Sequence, residues 1–230
     1  MTKLPIIEAF ETLGGIDDTQ RLAFERYYDL IIEWNEKINL TRITDPKEAA
    51  YKHFADSAAL EKHIKCGASV IDVGTGAGFP GIPLKIVRPD MQLTLLDSLK
   101  KRVDFLSLVL NELSIDATTL HSRAEDAARS SLRESFDIAT ARAVAPLNVL
   151  VEYCLPFVKT GGQLLAMKGA AAQEEVDTAA AAIKLMGGRV RGIYPTPLPG
   201  FDHAVVVIEK IEKTPKAYPR QAGKISKLPL

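Results

Sequence analysis

The chain has 230 residues, enough for one domain of ordinary size with an extension and a well-buried core. Apolar residues make up 47% and charged residues 25%, the balance of a globular protein in water. With 29 basic and 29 acidic residues the formal net charge is zero, which excludes a whole-molecule field that attracts nucleic acid; any such partner has to meet a local patch.

Taken in order, residues 1–65 read as helical. Leu22, Tyr27, Tyr28, Ile31, Trp34 and Ile38 recur at helical spacing with charges between them. Asp45-Pro46-Lys47-Glu48 is a helix start, with a cap, a first-turn proline and an acid at the third position. The helical stretch beyond it carries His53, Phe54, Asp56 and Ser57, and His53 with Asp56 is expected either as a structural pair or as a contact to a ligand. No strand signal precedes Ser69.

From Ser69 the pattern changes. Val70 to Val73 is a short, buried, β-branched strand holding one acid, Asp72. Gly74, Gly76 and Gly78 follow at alternate positions, where a chain leaves a strand in a tight turn with positive φ and no Cβ stands between backbone and ligand. Pro80 and Pro83 suit the opening turn of the next helix. Strand, glycine turn and helix start together form a nucleotide-cofactor site at the carboxyl edge of a parallel sheet.

Further strands are expected over 92–97, 116–120, 136–140 and 162–167, alternating with helices over 100–113 and 170–185. Segments 189–194 and 203–209 are expected to close the sheet as an antiparallel pair. Asp97 ends the second strand 21 residues past Gly76, about the separation of a carboxylate that grips ribose hydroxyls, the alternative being a helix N-cap. Arg142 lies at the mouth of the fourth strand, just past its expected end, as a contact to cofactor or substrate or as a surface ion pair; Lys168 follows the fifth with the same two readings. The tail from Lys213 holds five basic residues and no acid. We divide the chain into a helical cap (1–65), a Rossmann-like domain (66–212) and a basic tail (213–230).

Cys66 and Cys154 form no CxxC pair and no disulfide framework, and Cys154 reads as a core residue. His53, His63, His121 and His203 share no metal-ligand spacing, so no metal is expected. No apolar run reaches the length of a membrane span, and the start Met1-Thr2-Lys3-Leu4-Pro5 has no signal-peptide core. A cytoplasmic protein without membrane contact, acting as a monomer, is the expectation.

Gly76-Ala77-Gly78-Phe79-Pro80-Gly81 spells GxGxxG, a weak match by itself. The longer register Asp72-x-Gly74-x-Gly76-x-Gly78 resembles motif I of class I S-adenosylmethionine-dependent methyltransferases. A pyrophosphate favours a helix N-terminus, whereas a sulfonium amino acid brings an ammonium that wants a carboxylate. The wider chain resembles the bacterial 16S rRNA guanine-N7 methyltransferase G family, also called glucose-inhibited division protein B. The resemblance rests on Trp34-Asn35-x3-Asn39-Leu40-Thr41, Lys52-His53-Phe54-x-Asp56-Ser57 and the block from Asp72 through Phe79-Pro80-Gly81-Ile82-Pro83-Leu84. It continues in Leu96-Asp97-Ser98-x2-Lys101-Arg102, Arg123-Ala124-Glu125, Ala141-Arg142-Ala143, Met167-Lys168-Gly169 and Thr214-Pro215-Lys216-x-Tyr218-Pro219-Arg220.

The resemblance implies an α/β fold with a mostly parallel seven-stranded sheet, an antiparallel last strand and an N-terminal helical extension. It implies methyl transfer from S-adenosylmethionine to N7 of one guanine in 16S rRNA near the decoding centre, with the RNA or the small ribosomal subunit as partner. The cofactor contacts it implies are Asp72, Gly74, Thr75, Gly76, Gly78, Phe79, Asp97, Ser98, Ala124, Glu125 and Arg142, with Arg142 also the candidate for positioning in catalysis. RNA contacts are expected from Lys100, Lys101, Arg102, Lys168, Lys216 and Arg220. A methyltransferase acting on a small molecule or a protein is the alternative. Guanine N7 carries a lone pair and no proton, so its attack on a methyl group needs no general base, and none is evident after the fourth strand.

Overall fold

The computed structural model describes residues 4–230. Five strands run parallel: β1 (Ser69–Val73), β2 (Gln92–Asp97), β3 (Thr118–His121), β4 (Phe136–Arg142) and β5 (Val158–Lys168). The last two are β6 (Gly188–Pro195) and β7 (Ala204–Lys210), and β7 lies antiparallel to both β5 and β6. The sheet order β3-β2-β1-β4-β5-β7-β6 is the expected seven-stranded α/β sheet. The chain runs outward through β2 and β3 and then returns to β4 on the other side of β1. The carboxyl ends of β1 and β4 therefore diverge, and this is where doubly wound sheets bind ligands.

Strand alternation sends Val70 to one face and Ile71 to the other. On the first face lie α5 (Gly81–Val87) and α6 (Lys100–Glu112), together with the N-terminal helices α1 (Ile6–Phe10) and α2 (Asp18–Ile38). Phe10, Phe24, Tyr27 and Phe54 from the N-terminal part share one buried cluster with Val70, Ile82, Leu95 and Phe105. On the second face α8 (Leu147–Cys154) and α9 (Ala172–Leu185) bury Leu150, Cys154 and Ile183 against Ile71 and Ala139. Residues 4–65 thus have no core apart from that of the sheet.

Local chemistry sets the helix boundaries. Asp17 and Gln20 cap α2 reciprocally, side chain to backbone at 2.7 and 3.1 Å. The expected start at Asp45 is present: its Oδ1 accepts from the Glu48 N–H at 2.9 Å and opens α3 (Pro46–Glu48). That helix widens to π geometry over Ala49–Ala55 and ends in α4 (Asp56–Ala58). The fifth strand begins four residues before the expected 162, because Gly161 takes φ 89° and lets the chain stay paired through an irregular register.

The tail is docked. Glu152 on α8 is fully buried and accepts from the Arg220 backbone N–H at 2.7 Å and from its guanidinium at 2.9 and 2.7 Å. Arg129 and Arg133 donate to the carbonyls of Pro219 and Tyr218 at 2.7 and 2.8 Å. Helix α10 (Ala222–Lys227) inserts Ile225, fully buried. Arg220, one of the residues expected to meet RNA, pairs here with that buried carboxylate, its own side chain 22% exposed.

Removing one partner of such a pair leaves an uncompensated charge, which costs about 3–5 kcal/mol. Arg220→Ala is expected to lose stability on that scale in urea unfolding, and Glu152→Gln in the same background to recover part of it.

Candidate active site

The glycine turn is built from below by two acids. Asp72 sits inside β1 with Oδ2 accepting from the Thr75 hydroxyl at 2.6 Å and from the Gly81 N–H at 2.9 Å. One carboxylate oxygen therefore joins the strand end to the loop and to the start of α5. Burial raises Asp72 to about 6, against those two donors and the Arg142 charge. Asp97, at the end of β2, accepts from the Gly76 N–H and the Leu99 N–H, each at 2.9 Å. The neighbouring strands β1 and β2 thus hold the turn at both ends. Gly74, Gly76 and Gly78 have φ of 70°, 62° and 103°, the conformation expected of them.

From above the turn is held by the N-terminal helices. Tyr27 donates its hydroxyl to the Ala77 carbonyl. The His53 ring stacks on Phe79 with centroids 4.4 Å apart, and the Arg142 guanidinium lies 4.5 Å from the same Phe79 ring. Arg142 donates to the Lys52 carbonyl, within the π-helical stretch, at 2.9 Å and meets His53 Nδ1 at 3.2 Å. A guanidinium only donates, so Nδ1 accepts and His53 carries its proton on Nε2, facing the Thr41 hydroxyl at 2.8 Å. Burial and the Arg142 charge lower His53 to about 3, consistent with a neutral ring.

Asp56 does not pair with His53. Its Oδ2 lies 2.9 Å from Nδ1 of His203, at the entry to β7. The reason is geometric: His53 faces Phe79 and Arg142, whereas Asp56 faces the end of the sheet. Arg142, Asp56 and His203 line a cleft of about 840 Å³ with Val144, Pro146 and Met167. Val144 packs over Gly74, where a Cβ would stand 2.8 Å from Val144 Cγ2.

The remaining expected site residues are spread along the sheet edge. Ser98 is exposed just past Asp97, while Ala124 and the buried Glu125 open the short helix α7 (Ala124–Ala127) after β3. Lys168 is not a free cation: its side chain, 7% exposed, donates to the Ala145 carbonyl at 2.8 Å and to Glu175 at 2.7 Å. Lys101 and Lys216 are exposed, Lys100 pairs with Asp104, and Arg102 stands 3.6 Å from Asp97. Tyr27, Thr41 and His203 were not expected at the site. Tyr27 fits helical core spacing, and His203 meets a partner 147 residues away, so neither has a local signature.

A family model described as rRNA small subunit methyltransferase G matches residues 20–194. The chain belongs to that family. It is 50% identical over 213 residues to Ribosomal RNA small subunit methyltransferase G of Clostridium perfringens (strain SM101 / Type A), covering 90% of this chain and 89% of that one. The corresponding protein of Alkaliphilus metalliredigens (strain QYMF) is 48% identical over 236 residues, covering 100% and 99%. Among solved structures, a SAM dependent methyltransferase from Aquifex aeolicus superposes with TM-score 0.55 at 18% identity, covering 72% of this chain and 94% of that one. M. jannaschii TYW2 in complex with AdoMet gives TM-score 0.55 at 13% identity, covering 67% and 74%. These two likenesses show the fold. The chain is thus a methyltransferase of the small-subunit ribosomal RNA, and among its described residues no helix is long and apolar enough to cross a membrane.

The Asp56–His203 contact gives a pH signature. Asp56 raises the imidazole above its usual value. A raised folded value stabilises the protein fully below the unfolded pKa of about 6.5, and the contribution is lost as pH rises through the folded value. His203→Ala is therefore expected to lower the melting temperature most at about pH 6 and below, with the difference from the unaltered protein shrinking as pH rises through the folded value. Melting scans across that range check it.

Proposed function

We propose that the chain transfers a methyl group from S-adenosylmethionine to N7 of one guanine in 16S rRNA, near the decoding centre, without a general base. Family membership carries the reading, and the residues of the glycine turn fit the cofactor. Asp72 Oδ1 is buried with no protein donor, an acceptor suited to an ammonium group. A Cβ built on Gly76 meets nothing within 4 Å, so one side of the turn is open to a ligand. Gly74, Thr75, Gly76, Gly78 and Phe79 would cradle the methionine part, Asp97 and Ser98 the ribose, and Ala124 and Glu125 the adenine. S-adenosylmethionine supplies an electrophilic methyl on a sulfonium.

Every other task falls to the chain. N7 presents an unprotonated lone pair, so alignment dominates, and alignment can contribute roughly 7–11 kcal/mol. After β4 the chain reads Ala143-Val144-Ala145-Pro146, with neither the amide nor the aromatic that amino-group methylation uses to orient an exocyclic nitrogen. Arg142, held by the Lys52 carbonyl and stacked on Phe79, fixes the wall between the glycine turn and the cleft. The cleft of about 840 Å³ accommodates a base extruded from its stack. Lys100, Lys101, Arg102 and Lys216 would meet phosphates, which position RNA without reading its sequence.

Two measurements test this. A mass-spectrometric map of N7-methylguanine in 16S rRNA, from cells with and without the gene, is expected to lose one site, restored by the unaltered chain; an unchanged map overturns the assignment. Gly76→Ala places a side chain on the open face at φ 62°. It is expected to fold with a loss of about 1–2 kcal/mol while binding S-adenosylhomocysteine at least roughly tenfold more weakly, by calorimetry.

A further inference from the structure

Asp56 is 3% exposed, and among the described residues its one ion-pair partner is His203, itself partly exposed to the cleft. No lysine or arginine of the described residues pairs with it, although Arg142 lines the same cleft. The contact to His203 uses one lone pair of Oδ2, and an ionised carboxylate offers about four. Burying an acid is costly unless its acceptors are used. Nor does attachment of the N-terminal part require this one, since Arg142–Lys52, Tyr27–Ala77 and the shared apolar cluster already make that seam.

We propose that Asp56 reads the Watson–Crick edge of the target guanine, accepting from N1–H and the N2 amino group, with His203 holding the carboxylate in place. The inference rests on the guanine-N7 reading above. Guanine is the one standard RNA base with two adjacent donors on that edge. Adenine presents an N1 lone pair there, and cytosine an N3 lone pair, which a carboxylate repels. The position in the fold agrees. Asp56 meets His203 at the entry to β7, while the glycine turn leaves β1, three strands away in the order β1-β4-β5-β7. At about 4.8 Å per strand that separation is roughly 14 Å. The N1–N2 edge and N7 lie on opposite sides of a purine, so a base held at Asp56 presents N7 away from that carboxylate, free to face the β1 side of the cleft. Met167, Val144 and Pro146 supply apolar walls for its faces.

The test uses small-subunit particles carrying guanine or inosine at the mapped position. Inosine keeps N7, O6 and N1–H and lacks only the 2-amino group. The unaltered enzyme is expected to methylate inosine roughly 10–100-fold less efficiently in kcat/KM. Asp56→Asn is expected to lose a similar factor on guanine and to treat the two bases within about threefold of each other. His203→Ala should give a guanine-over-inosine ratio between those of the unaltered enzyme and Asp56→Asn; a ratio equal to the unaltered one removes its positioning role. Folding is followed by melting and by S-adenosylhomocysteine binding. If Asp56→Asn folds and keeps the full preference for guanine, the assignment is overturned. If the unaltered enzyme uses inosine within about threefold of guanine, it is overturned without any variant. Failure of the guanine-N7 reading has a different signature: no methyl reaches N7 of guanine at all.

Discussion

A partly buried guanidinium joins the two halves of this molecule. Arg142 comes from the last position of β4, yet its donors end on the Lys52 carbonyl and on His53, and its face covers Phe79 of the glycine turn. Arginine cannot shed its charge in a protein, so its donors need fixed acceptors. The wide helical stretch Ala49–Ala55 provides them. His53 must then remain neutral with Nδ1 unprotonated, and its other nitrogen engages Thr41. One strand end thus dictates the tautomer of a histidine and the seat of the N-terminal helices.

Beneath that seam the glycine turn is rigid for a different reason. Positive φ at three glycines gives the chain access to the turn, but access alone is not order. Order comes from Asp72 and Asp97, which accept from Thr75, Gly76 and Gly81 across two neighbouring strands. Each bond to a carboxylate is charge-assisted and sheltered from water, so the loop geometry is set before any ligand arrives.

The basic residues divide into two groups that composition cannot separate. Arg220 and Lys168 answer Glu152 and Glu175 inside the protein, while Lys101 and Lys216 face solvent. A count of charges along the tail treats them alike. Only the partner's position distinguishes an anchor from a surface charge, and Glu152 lies 68 residues from Arg220.

What the sequence by itself determined follows from short-range chemistry. The β-branched run Val70–Val73, the alternate glycines and the Asp45 cap depend on neighbours within a few residues, where backbone sterics and side-chain period decide the outcome. The family could be read because its motifs are local strings of the same kind. The pairings around the cleft are another matter. Asp56 faces His203 rather than His53, Tyr27 reaches Ala77 fifty residues on, and Val144 closes over Gly74. Such contacts are set by how helices seat on a twisted sheet. The tertiary structure alone decided them, because the energy that selects each partner exists only once both are buried together.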